Sequence, residues 1–141
     1  MTDDADNALT ADLAAIMPFM ALMGVEAHTV SPELVVLRLD WRPEVCTSGG
    51  ILHGGALMAV ADGAGAWCAF LNLPEGATGT TTIESKTNFL RGVSSGHVEA
   101  RATVLHAGRT TIVVDTELRN AEDRLVGRVT QTQAVLSPRP S

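Results

Sequence analysis

The chain has 141 residues, 45% of them hydrophobic, and carries 16 acidic against 10 basic side chains for a formal charge of -6. That length suits a single domain over residues 1–141 built on one core, and no linker, repeat or low-complexity tract divides it. The acidic balance argues against nonspecific nucleic-acid binding, which needs Lys and Arg to neutralise phosphates.

The start of the chain, residues 1–6, is acidic and is not followed by a signal-type apolar core, which predicts a cytoplasmic protein. Residues 8–23 are rich in Ala, Leu and Met and predict a helical lead-in that breaks near Pro18. Residues 24–30 and 34–41 have strand composition around Ser31-Pro32-Glu33, so they predict a hairpin. A loop over 42–50 then leads to a long apolar helix, which Pro74 and Gly76 end. Residues 51–71 are long enough to raise the question of a membrane span. His53, Asp62, the repeated glycines and the strand-like sequence beyond them point instead to a wrapping of protein, with no membrane.

The remainder predicts four strands, over residues 80–90, 97–106, 110–120 and 125–136, with turns at 92–96, 107–109 and 120–123. Long strands with short turns imply an antiparallel sheet. One apolar helix can be buried by such strands only if the sheet curls around it, an α+β layer arrangement. Cys46 and Cys68 lie in a chain with no sign of export, so both are expected as free thiols.

The segment from Gly50 to Asp62 carries the chemistry. Residues 56–71 are almost all Ala, Leu, Met, Val, Gly, Trp, Cys and Phe, and Asp62 is their only charge. A helix apolar around its circumference is expected to be enclosed, which makes Asp62 an expected buried carboxylate needing a reason to be there. Upstream, Gly54 and Gly55 leave helix-start N–H groups accessible to a developing negative charge. A carboxylate and an anion cradle together suggest acyl transfer.

This pattern resembles the hotdog-fold acyl-CoA thioesterases, in particular the phenylacetic acid degradation type, in which His-Gly-Gly opens an apolar helix with Asp nine residues after the His. His53 and Asp62 have that spacing. Residues 80–91 (TTTIESKTNFLR) resemble the family's third strand, and His106-Ala107-Gly108-Arg109 its Gly-Arg turn, so the likeness covers about 20–136. It implies the hotdog fold, hydrolysis of a thioester, Asp62 as nucleophile or general base, and the Gly54 N–H as donor to the thioester oxygen. His53 suits orienting the turn better than proton transfer, and Gly55 suits close packing. Where relatives carry an Asn or Gln six residues before the His, this chain has Thr47. Relatives of the Asp type use a hydroxyl on the third strand, which points to Thr82, with Thr80 and Thr81 as register alternatives.

Leu57, Met58, Ala61 and Gly65 are the expected acyl-pocket lining, admitting an aryl or medium acyl group. Arg91 and Arg109, beside Gly92 and Gly108, are candidates for the coenzyme A phosphates, because almost all positive charge lies in the second half of the chain: residues 71–141 hold eight of the ten bases. A Cys46–His53 nucleophile pair lacks a visible third, orienting residue.

Distance bears on assembly. Eight residues separate Gly54 from Asp62, about 12 Å along a helix, whereas an oxyanion donor and a nucleophile must both lie about 3 Å from the reacting group. A two-fold homodimer with antiparallel central helices would bring Gly54 of one copy to Asp62 of the other, and the family is known for such shared sites, often in dimers of dimers. The expected activity is acyl-CoA hydrolysis with no metal or redox cofactor, coenzyme A being part of the substrate. A non-catalytic acyl-CoA-binding regulator on the same fold is the alternative. A hotdog hydratase is disfavoured by the placement of the acid.

Overall fold

The computed structural model describes residues 6–140, so the acidic start over 1–5 lies outside the described residues. Asp6 caps the first helix, α1 (Asn7–Ile16), its carboxylate accepting from the N–H groups of Ala8 and Leu9 at 2.9 and 3.0 Å. The break expected at Pro18 is present. Met17 stands between α1 and α2 (Pro18–Met23), which has proline at its first position, where no intrahelical N–H is needed. Gly24 ends α2 in the left-handed conformation, φ 72°, as helix C-termini favour.

Strands β1 (Glu26–Val30) and β2 (Val35–Asp40) form the expected hairpin, with one irregularity between Ala27 and Thr29. A short 3-10 turn, Pro43–Val45, leads toward the central helix α3 (Gly54–Phe70). Four strands follow: β3 (Gly79–Phe89), β4 (His97–Ala107), β5 (Thr111–Asn120) and β6 (Leu125–Leu136). The six strands make one antiparallel sheet in the order β1-β2-β4-β5-β6-β3. After α3 the chain therefore crosses to the far edge to lay down β3, returns to β4 beside β2, and closes the gap with β5 and β6.

The sheet curves round α3, which packs against five strands, β2 to β6. Alternation along the strands supplies the inner face: Val35, Leu37 and Leu39 of β2, Val98, Ala100 and Ala102 of β4, and Ile112 and Val114 of β5 are all buried. Leu57, Val60, Ala61, Ala64 and Cys68 face them from α3. This is the hotdog arrangement.

One expectation is corrected. Composition alone put α3 inside a complete wrapping, with Asp62 buried. The sheet covers only one side of the helix, and Gly55, Met58, Asp62 and Phe70 are exposed on the other. These positions recur at helical spacing and form one stripe. Beside that stripe runs β3, exposed along most of its length and paired on one edge only, to β6. No helix among the described residues is long and apolar enough to cross a membrane.

Candidate active site

Two elements build the site, α3 and β3, lying antiparallel. The Phe89 ring rests against Gly54 where a side chain would begin, and Thr82 meets Asp62 two turns further along the helix. Two separate cavities flank this contact, a polar one at the start of α3 and an apolar one towards α1.

At the polar end, a tight turn sets the geometry. The Thr47 N–H donates to the Ile51 carbonyl at 2.9 Å, the Gly50 N–H returns to the Thr47 carbonyl at 3.0 Å, and Gly50 has φ 72°. The Leu52 N–H donates to the Val93 carbonyl at 2.8 Å, tying this turn to the segment after β3. Thr47, His53, Gly54, Leu57 and Arg91 consequently line one cleft of about 460 Å³.

His53 is the N-cap of α3, its Nδ1 accepting from the Gly55 N–H at 2.8 Å. The bond requires an unprotonated Nδ1 and so selects the neutral ring with its proton on Nε2. The Gly55 N–H is thereby consumed. The Gly54 N–H meets no acceptor among the described residues and points an unused donor from the positive end of the helix. The Cys46 thiol donates to the Arg42 carbonyl at 3.2 Å rather than to His53. Both cysteines are free, and burial pushes the Cys68 thiol up to about 11.

Asp62 sits on a polar platform supplied by the sheet. The Thr82 hydroxyl donates to its Oδ1 at 3.5 Å and the Gln131 amide to the same oxygen at 3.4 Å. The Gln133 amide in turn donates to the Thr82 hydroxyl at 2.7 Å. Both donors to the acid converge on Oδ1, leaving Oδ2 without a protein donor among the described residues. A carboxylate held by one oxygen keeps the other for chemistry.

Gln131 and Gln133 are 0% and 1% exposed, and neither figures in the sequence reading. A signal was present. Along β6, Val129, Gln131, Gln133 and Val135 share one face by strand alternation, so two amides stand where core residues belong. Buried amides need partners, and the Gln131 Oε1 is buried with none. Gly65 makes room for it, since a side chain there would collide with the Gln131 amide.

The other expected residues divide. Met58 is 40% exposed on the open stripe, whereas Ala61 and Gly65 are buried beneath it and Leu57 keeps only an edge on the polar cleft. Arg91 joins Gly54 at the polar end. Arg109 and Gly108 lie in the β4–β5 turn, next to the opposite end of β3, because Val135, the partner of Thr80, donates to the Thr110 carbonyl at 2.9 Å. The two arginines are thus separated by nearly the length of β3, about 30 Å at some 3.3 Å per residue, and cannot grip one set of phosphates in a single chain.

A curved antiparallel sheet around one helix, with an exposed carboxylate and a free helix-start N–H on that helix, defines a hotdog thioester hydrolase. The chain belongs to the thioesterase superfamily, whose family model matches residues 49–127. A Haemophilus influenzae relative that carries an esterase name is 40% identical over 110 residues, 77% of this chain and 79% of its own. Among solved structures, the thioesterase PA1618 of Pseudomonas aeruginosa, crystallised as a mutant, superposes with a TM-score of 0.83 at 27% identity, covering 96% of each chain. The phenylacetic acid degradation protein PaaI of Thermus thermophilus, also a mutant, does so at 0.77 and 28% identity, covering 84% of this chain and 99% of that one.

Proposed function

We propose that this thioester hydrolase acts on an acyl-CoA, releasing the free acid and coenzyme A, with Asp62 as the reacting carboxylate. The observation that carries the reading is the tethered Oδ1 and open Oδ2 of Asp62, exposed on the same helix that carries the unused Gly54 N–H. Oδ2 attacks the thioester carbonyl or takes a proton from the water that does. In either route the carbonyl oxygen gains negative charge in the transition state, which a helix-start N–H is oriented to stabilise. Collapse of the tetrahedral species breaks the C–S bond and expels the coenzyme A thiolate. The base route then leaves the free acid, and the nucleophile route leaves an Asp62–acyl anhydride that a water cleaves to the free acid and the Asp62 carboxylate. No step calls for a metal or redox group.

The site is completed by a second copy. Gly54 and Asp62 are about 12 Å apart on one continuous helix, too far to serve one carbonyl. The part of the exposed stripe of α3 from Gly55 to Asp62 and the unpaired edge of β3 form one surface with Asp62 on it, and a long unpaired strand edge is a template for pairing. A two-fold dimer through this surface covers Met58 and Ile83 and seats Gly54 of each subunit near Asp62 of the other, giving two equal sites. Pairing of such dimers into tetramers, and a cytoplasmic location, fit the same reading. Arg91 at the polar end then belongs to the phosphate-bearing part of the substrate, and Arg109 meets it only from a different copy.

The test is a panel of acyl-CoAs with a reagent for free thiol. Release of coenzyme A from at least one member, at a rate proportional to enzyme, supports hydrolysis. Tight acyl-CoA binding without turnover would replace it with the regulator reading, for which the exposed hydroxyl of Thr47 in place of an amide is the motive.

A further inference from the structure

A separate cavity begins one turn beyond Asp62. Ala66 and Phe70 follow the acid at one-turn intervals on the same stripe of α3, and Thr80 precedes Thr82 by two residues on the same face of β3. Ala66, Phe70 and Thr80, with the Trp67 ring, form the inner walls of a cavity of about 600 Å³. Its outer wall is the end of α1, where Ala15, Ile16 and Met17 turn toward it. The volume lies within the roughly 300 to 1,000 Å³ that small-ligand pockets occupy. The walls are apolar, and Ile16 and Phe70 remain 56% and 54% exposed, apolar surface that an occupant would cover. One charge stands at the rim, Asp12.

We propose, resting on the acyl-CoA reading above, that this cavity receives the far half of the acyl group, and that the acyl group is an extended chain of medium length with an uncharged end. Phe70 lies eight residues beyond Asp62, about 12 Å along the helix. A chain whose carbonyl is at Asp62 needs roughly ten carbons, at about 1.3 Å of advance per bond in zigzag, to fill that distance. An acetyl or butyryl group leaves the cavity empty. Asp12 at the mouth repels a terminal carboxylate, so an ω-carboxyacyl group of the same length is rejected. The helical lead-in is then a specificity wall for the enzyme, with Ala15 setting length and Asp12 setting charge. Leu57, Ala61 and Gly65, buried in the chain, do not line this space.

Ala15 is exposed, so enlarging it leaves the fold intact. In Ala15→Phe, kcat/KM for decanoyl-CoA should fall at least tenfold while that for butyryl-CoA stays within twofold. Wild type should prefer decanoyl-CoA over its ω-carboxy analogue at least tenfold, and Asp12→Asn should narrow that preference. Equal losses on the long and short substrates, or no loss on either, would overturn the proposal, as would an ω-carboxy preference indifferent to Asp12. Binding is read separately with 10-bromodecan-1-ol, whose bromine quenches tryptophan. Saturable quenching that disappears in Trp67→Phe and weakens at least tenfold in Ala15→Phe is expected whether or not any thioester is cleaved. If the wild type turns over no acyl-CoA, the hydrolase reading falls while this binding result decides the cavity; absence of saturable quenching overturns the cavity alone.

Discussion

The Thr82 hydroxyl donates to Asp62 at 3.5 Å while accepting from the buried Gln133 amide at 2.7 Å, so the sheet holds the acid through a relay of two side chains. Gln133 does not touch Asp62 itself. Its role is positioning, by fixing the direction in which the Thr82 proton points. Thr82→Val and Gln133→Leu should each lower kcat about two- to tenfold, the value of a hydrogen bond of about 0.5 to 1.5 kcal/mol, with KM little changed. Because they act through one chain of bonds, the double variant should lose no more than the worse single one. Additive losses would show that the two residues serve separate ends.

Gly65 lets α3 approach β6 over Gln131. A methyl at this position collides with the amide at the far end of the fully buried Gln131 side chain, which must shift within the core. Gly65→Ala should therefore destabilise the fold by about 1 to 3 kcal/mol, the usual cost of overpacking, read as a lower urea midpoint at constant slope. Adding Gln131→Ala should recover part of the loss. A Gly65→Ala protein as stable as wild type would mean that the amide rotates away freely.

Thr47 stands on the polar cleft with an exposed side chain. If its hydroxyl serves the reaction, Thr47→Val should lower turnover by about 0.5 to 1.5 kcal/mol, and Thr47→Asn should preserve or raise it. Identical kinetics in Thr47→Val would remove this residue from the mechanism.

The sheet and central helix were legible because their apolar periods are clean: the broken lead-in helix, the hairpin around Ser31-Pro32-Glu33 and the last four strands lie close to where the pattern puts them. The pairing of β3 with β6, rather than with its chain neighbour β4, was not legible, since strand composition does not encode order. The carboxylate was legible as a lone charge among apolar residues. Its exposure was not, because composition reports that a helix face is apolar without saying whether its own chain or another covers it. The two glutamines of β6 were legible in principle from alternation, but a polar pair in a strand reads as surface until its phase is counted against Val129 and Val135.

The shared site has its own test. Gly54 is the first residue of α3, and His53 before it has ψ 134°, the extended conformation that a following proline requires. Gly54→Pro loses the unused N–H and should fold once the half-exposed Phe89 ring turns aside from the new side chain, which circular dichroism of the variant checks. Gly54→Pro and Asp62→Asn should each be inactive alone, yet a purified heterodimer of the two contains one site with both groups intact and should recover up to about half of wild-type activity. Verified heterodimers as inactive as the parents would place the site within one chain.

The most direct measurement compares wild type with Asp62→Asn on the best acyl-CoA of the panel, following coenzyme A release by thiol titration and substrate binding by calorimetry on the same preparations. The amide keeps the shape and the Oδ1 acceptor but loses the free basic oxygen. Asp62→Asn should bind the acyl-CoA within a few-fold of wild-type affinity and release no coenzyme A above background. Turnover above a few per cent of wild type in the folded variant would contradict Asp62 as the reacting carboxylate.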